Sequence, residues 1–346
     1  MRFRRLTVVA ATVTCAVLVA APVLAANSTP GSKGEAGASR AAPATIPGTA
    51  KPLPVPSADP ANASRGIFGA DEAAALASMG TVTLNSDGSV DEQPASASLR
   101  SLVSDEVKGK DNSGTTPRYV PPPDTRTQIT DASAYPDDTV GWLWVQDQKG
   151  GWATCTATLI GPQSVITAAH CVYDHETGGW VKSITFYPGI TDGKTAPEGS
   201  YDYQSAHILK GFIDNYDGKN YDSVMPWDLA EITLKSDAGN QIGWMGFEVD
   251  DSSPWHATIV GYPGDKPDGT MWQSECDIPA NPTPISNFSH VCATYAGSSG
   301  SSMWQDAGGG DLYIRGINVA ENLGMKLNFG TRLIDSYYQF LLDNYK

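Results

Sequence analysis

Three short stretches carry side chains that could do nucleophilic chemistry. Thr167-Ala168-Ala169-His170-Cys171 sets a histidine among small residues. Trp227-Asp228-Leu229-Ala230-Glu231-Ile232 sets a carboxylate at the mouth of an apolar run, and Gly297-Ser298-Ser299-Gly300-Ser301 offers hydroxyls in a glycine-bounded loop. Singly, each has an ordinary reading: a packed imidazole, a turn aspartate, a flexible linker. Jointly they supply a nucleophile, a base and an orienting acid. A serine hydroxyl attacks well only when a neighbouring base takes its proton, and imidazole titrates in the right range to take it and give it back. A buried carboxylate fixes the imidazole tautomer and stabilises the imidazolium. On this basis Ser299 is the expected nucleophile, His170 the base and Asp228 the orienter. The N–H groups of Gly297 and Ser299 are the expected oxyanion donors. Asp222 is a rival for the acid, but Asp228 leads directly into the apolar Leu-Ala run.

Groups from such distant parts of the chain need a scaffold of many short elements. Runs of β type recur at Val140–Gln146, Ala153–Ile160, Ser164–Ala168, Ser183–Tyr187, Leu229–Leu234, Ala257–Val260 and Leu312–Val319. Gly161-Pro162, Pro188-Gly189, Pro263-Gly264 and Gly308-Gly309-Gly310 punctuate them. Leu333, Tyr337, Phe340, Leu341 and Tyr345 fall at helical spacing, which predicts a helix over Arg332–Tyr345. The pattern predicts a mostly β fold, an antiparallel barrel or sandwich, with a C-terminal helix.

The 346 residues carry 38 acidic and 23 basic side chains, a net charge of -15. That balance excludes a basic nucleic-acid interface or attraction to anionic membranes. Residues 1–126 hold 11 acids and 12 bases, whereas residues 127–346 hold 27 and 11, so the chain changes character near residue 126. Met1-Arg2-Phe3-Arg4-Arg5, an apolar run from Leu6 and the closing Val23-Leu24-Ala25-Ala26 predict a signal peptide over residues 1–25. Secretion to the extracellular space follows as an expectation, with no membrane attachment after signal removal.

Cys155, Cys171, Cys276 and Cys292 are then an even set, read as disulfides in an exported chain. Three connectivities are open. No Cys-x-x-Cys or His-Glu-x-x-His spacing exists, so no metal and no cofactor are expected. The acidic stretches lack a calcium-loop pattern. His175, His207, His256 and His290 show no ligand spacing and are expected at the surface or in loops.

Between the signal and residue 126 little core is legible. Asn27–Ser64 is rich in Ala, Pro, Ser and Gly, as in a flexible tail. A short helix is predicted at Gly69–Met79 and a strand at Thr81–Leu84. Gln93–Thr116 turns polar, and Pro121-Pro122-Pro123 forbids regular structure. Residues 26–118 therefore read as a mostly disordered linker or pro-segment.

These residues resemble the chymotrypsin-like serine peptidases, and within them the bacterial glutamyl endopeptidases of staphylococcal type. The resemblance runs from about Arg126 to the C-terminus. It rests on Gln128-Ile129-Thr130-Asp131, the 167–171 motif, Asp228-Leu229-Ala230 and Gly297 to Ser301. Gly261-Tyr262-Pro263-Gly264-Asp265-Lys266-Pro267 and Met271-Trp272 add to it. It implies two six-stranded antiparallel β-barrels, with a peptidase domain over 119–346, and a Cys155–Cys171 bridge that leaves Cys276 with Cys292. It implies a monomer acting on protein or peptide substrates through an acyl-enzyme, and a pro-segment cut at Arg118 or Arg126, by another protease if not by itself. Two departures matter. Ser298 stands where animal relatives carry the aspartate that pairs with a new N-terminus. Asn318 stands where glutamate-specific relatives place a pocket histidine, although Thr294 matches their pocket threonine. Glutamate preference is therefore in doubt. A catalytically silent homologue acting as an extracellular binding protein is the alternative.

Overall fold

The computed structural model describes residues 41–59, 66–68, 70–107, 124–176, 179–280 and 286–346. The expected signal peptide and the Arg118–Tyr119 bond lie outside these residues.

Six strands close on themselves in the first half of the peptidase region. Ser183–Pro188 pairs with Val140–Gln146, followed by Trp152–Leu159, Ser164–Thr167, Ala230–Leu234 and Tyr201–Leu209. The circle ends where Phe186 meets Tyr201, back on the first strand. Val140–Gln146 is buried on both faces except at Gln146, because one face fills the barrel and the other meets the second sheet. There the Trp142 ring stacks on Tyr262, with centroids 6.0 Å apart.

The second sheet runs Asn287–His290, Leu327–Arg332, Leu312–Asn322, Ser302–Asp306, Trp255–Gly261 and Met271–Ile278, with Thr127–Ile129 added beyond. Six strands were expected as a second barrel. Among the described residues the ladder does not close by strand pairing. Instead the Cys276–Cys292 disulfide ties Met271–Ile278, the sixth strand, covalently to the chain just past His290, the end of the first. Cys155–Cys171 does the same for two neighbouring segments of the first barrel. Each closes a separation of 16 residues, worth about 3 kcal/mol in loop entropy.

The expectation of a mostly disordered stretch over 26–118 does not hold for its described parts. Asp71 caps a helix at Glu72–Ser78 by accepting from the Ala73 and Ala74 amides. A hairpin follows, Thr81–Asn85 with Val90–Gln93, and its first strand pairs antiparallel with Tyr201–Leu209 of the barrel. Ser96 caps a second helix, Ala97–Glu106, which packs on the C-terminal helix Asp335–Asn344. The Glu106 carboxyl accepts from the Ser336 amide at that helix's start, and burial pushes it up to about 7. The polar look of 93–116 conceals Leu99 and Val103, four residues apart on one face and both buried.

No helix among the described residues is long and apolar enough to cross a membrane. Leu99→Ala in the full chain is expected to lower its stability by about 2–4 kcal/mol, read as a lower urea midpoint. A disordered segment would give no change.

Candidate active site

His170 sits in a tight turn at the end of Ser164–Thr167, and Asp228 just before Ala230–Leu234. These strands are neighbours in the barrel, so two residues 58 apart in sequence meet at its rim. Asp228 is fully buried and uses both oxygens on His170: Oδ1 accepts from the backbone N–H at 2.8 Å, and Oδ2 lies 2.6 Å from ring Nδ1. The Tyr221 hydroxyl also donates to Oδ2, and its ring meets the imidazole edge-on. Burial and the adjacent Asp228 hold the Tyr221 phenol well above its ordinary value, so it remains a donor. The rival carboxylate is engaged elsewhere, Asp222 Oδ1 accepting from the Asp59 amide at 2.6 Å.

Ser299 lies in the loop before Ser302–Asp306, on the second sheet. Its Oγ and His170 Nε2 are both buried, and among the described residues neither has a hydrogen-bond partner. The loop is shaped by its amides: Ser298, Gly300 and Ser301 donate to the carbonyls of Tyr295, Asn318 and Ser298. Among the described residues no acceptor takes the amides of Gly297 and Ser299, the two expected oxyanion donors. Gly297 has φ +93°, and a Cβ there would lie 2.5 Å from the Tyr262 carbonyl. Gly300 has φ +80°, and its Cβ would lie 2.1 Å from Thr167 Oγ1. Neither position tolerates a side chain.

Sequence reasoning missed Thr156, which ties this loop to the first barrel. Its N–H donates to the Ser299 carbonyl at 2.8 Å. Its Oγ1 donates to the Gly297 carbonyl at 2.9 Å and accepts from the Tyr262 amide at 3.1 Å. Its own carbonyl accepts from Thr167 Oγ1 at 2.8 Å. A threonine after a cysteine in a β-run gives no sign of this, since three of its four partners are remote in sequence.

Asn318 is fully buried on Leu312–Asn322 and its amide is spent on protein. Nδ2 donates to the Ser298 carbonyl at 3.0 Å, and Oδ1 lies 3.1 Å from His290 Nε2. His290 is thus a buried neighbour of Asn318, not the surface or loop residue expected. Desolvation pulls its imidazole down to about 4. Thr294 is half-buried in the loop after Cys292 and makes no hydrogen bond to Asn318. Of the other histidines, His207 lies within Tyr201–Leu209 and His175 stacks on Tyr216, while His256 is exposed beside Asp277.

Among the described residues two groupings have the makings of a metal site, Cys155–His170–Cys171 and Cys276–His290–Cys292. All four sulfurs are bonded in disulfides and are not available as thiolates.

Thr156→Val keeps the shape but leaves the Gly297 carbonyl and Tyr262 amide without their buried partner. It is expected to cost about 1–3 kcal/mol by denaturant melting, with Thr156→Ser recovering most of the loss.

The trypsin family profile matches residues 133–335, more than half of the chain. An "Extracellular metalloprotease" of Bacillus subtilis (strain 168) is 30% identical over 219 residues, 62% of this chain and 66% of that protein. A "Glutamyl endopeptidase" of Bacillus licheniformis is 33% identical over 186 residues, 53% of this chain and 54% of its own length. The chain thus spans less than two thirds of either relative. A solved structure of a Glu endopeptidase in complex with MPD superposes with a TM-score of 0.55 at 23% identity, over 64% of this chain and 97% of that one; this likeness is one of fold. From the family match over more than half of its length, with the closed barrel and second sheet beside it, the chain belongs to the trypsin family of chymotrypsin-like serine proteases.

Proposed function

We propose that this chain is a secreted serine endopeptidase that cleaves proteins or peptides through an acyl-enzyme, with Ser299, His170 and Asp228 as its catalytic residues. The carrying observation is that Asp228 engages Nδ1 of His170 and leaves Nε2 free to act as a base. In the proposed reaction Ser299 Oγ attacks the scissile carbonyl carbon as Nε2 takes its proton. The carbonyl oxygen becomes an oxyanion facing the Gly297 and Ser299 amides. Collapse breaks the C–N bond, and the imidazolium gives its proton to the leaving amine. Water, deprotonated by the same imidazole, then hydrolyses the ester and restores Ser299. Secretion is supported by the two disulfides, which persist in oxidising compartments.

The pocket reading follows from charge. Asn318 is neutral with its N–H groups directed to protein, and His290 beside it is neutral at pH 7. Neither offers positive charge to a glutamate side chain, so we assign the enzyme a preference for uncharged residues on the acyl side.

Activation is assigned to removal of the N-terminal segment after Arg118. Arg126 is a poor site, because its side chain is 8% exposed and its guanidinium pairs with Asp124 and Asp265. The residues after it, Thr127–Ile129, are already held in the second sheet. N-terminal sequencing of the mature protein is expected to begin at Tyr119; a start at Thr127 would contradict this.

A fluorophosphonate probe is expected to label the matured wild type, and neither Ser299→Ala nor His170→Ala. Asp228→Asn is expected to lose about 10⁴-fold in turnover, as triads do when the tautomer is wrong. A peptide panel given to the same enzyme should be cut after uncharged residues at least as fast as after Glu. Absence of labelling in folded, matured protein would sink the enzyme reading, and clear Glu preference would sink the neutral pocket.

A further inference from the structure

We infer that residues 51–58 are a built-in ligand of the substrate cleft, lying in it backwards and keeping the full-length chain silent. This rests on the protease reading above and adds the regulation of the same site.

The segment touches both halves of the cleft in turn. Lys51–Pro52 pairs in parallel with Ala153-Thr154 of the first barrel, and the Leu53 amide donates to the Thr154 carbonyl at 2.9 Å. Ser57 then bridges in parallel to Glu321 of the second sheet. There the Glu321 amide donates to the Pro56 carbonyl at 3.0 Å and the Ala58 amide to the Glu321 carbonyl at 2.9 Å. Asn322 Nδ2 donates to the Ala58 carbonyl at 2.7 Å, and the Asp59 amide reaches Asp222, next to Tyr221. The first anchorage itself lies beside the serine loop. Pro52 stands so close that a Cβ on Gly264 would lie 2.0 Å from its Cγ, and one on Gly297 would lie 3.3 Å from its Cβ. Ser299, which substrate must reach, is 0% exposed.

Direction follows from the chemistry. In a productive complex the acyl side must lie on the second sheet, where Asn318 sits. The leaving amine must lie toward His170, its proton donor, and so toward Thr154, whose neighbour Cys155 is bonded to Cys171. A substrate therefore runs from the Glu321 side to the Thr154 side. Residues 51–58 run from Thr154 to Glu321, so no carbonyl among them is presented with its leaving nitrogen toward His170.

The sequence suits this task. Pro52, Pro54 and Pro56 alternate in Lys51-Pro52-Leu53-Pro54-Val55-Pro56-Ser57. Proline locks φ at about −65°, so less entropy is lost when the segment is laid into a groove. Alternation keeps N–H groups at Leu53 and Val55, and the Leu53 amide is one that bonds.

The test uses the full chain and a fluorophosphonate probe. Replacing residues 51–58 by eight Gly/Ser residues is expected to speed labelling at Ser299 at least tenfold over wild type. A synthetic peptide of residues 50–59 should slow labelling of that variant competitively and be recovered uncut by mass spectrometry. A Pro54→Ala/Pro56→Ala form of the peptide should also survive, since direction, not proline alone, protects it. Equal labelling of wild type and variant overturns the proposal, as does any cut within 51–58 of the doubly substituted peptide. If naturally processed protein labels but the replaced chain does not, the block lies elsewhere and the proposal fails while the protease reading stands. If no form labels, both fall together.

Discussion

Thr156 is the residue on which the site's geometry depends. The expected nucleophile and base belong to different sheets, and two sheets packed by apolar contact alone can slide by fractions of an ångström at small cost. Hydrogen bonds are directional and, once buried, costly to break. Thr156 places four of them at one point, to Ser299, Gly297, Tyr262 and Thr167. Its neighbour Cys155 is covalently tied to Cys171, beside His170. The serine loop, the two candidate oxyanion amides and the histidine turn are thus referenced to a dipeptide on one barrel strand.

The rest of the frame serves the segment that enters the peptidase region. Asp265 pairs with Arg126, and Lys266 pairs with Asp124 while lying over the Trp272 ring. These contacts give a physical role to the Gly261–Pro267 motif and to Trp272, which the sequence offers only as marks of a family. The same run supplies Gly264, which leaves room for Pro52.

Legibility in the sequence followed how local each cause was. Val140–Gln146 was readable as a continuous apolar run buried on both faces, and the helix predicted over Arg332–Tyr345, which spans Asp335–Asn344, because one-sided burial writes a helical period into its residues. The pairing of His170 with Asp228 was readable because each lies at the edge of an apolar strand with small or apolar neighbours. Tyr201–Leu209 was not, because Asp202, Gln204, Ser205 and His207 dilute it, and pairing on both sides is what holds it. The hairpin Thr81–Gln93 and the helix Ala97–Glu106 were understated for the same reason: their apolar residues are few and find partners only on a distant surface. Tyr221 lies only seven residues from Asp228, but no spacing rule aims its hydroxyl; Thr156 and His290 act through contacts made between strands and loops that a periodicity does not record.

The docking of Thr81–Asn85 onto Tyr201–Leu209 bears on what a single cut would accomplish. Neither disulfide joins residues before 124 to those after, so severing the chain near residue 118 breaks its one covalent link and none of the contacts. The N-terminal part then becomes a separate subunit, held by the pairings of Ala44-Thr45 with Thr195-Ala196 and of Thr81–Asn85 with Tyr201–Leu209, by two helices and by whatever it lays across the cleft. Its occupancy obeys mass action from that moment. Before the cut its effective concentration is fixed by the tether; afterwards it falls with every dilution, so that spreading into a larger volume is itself the step that releases it.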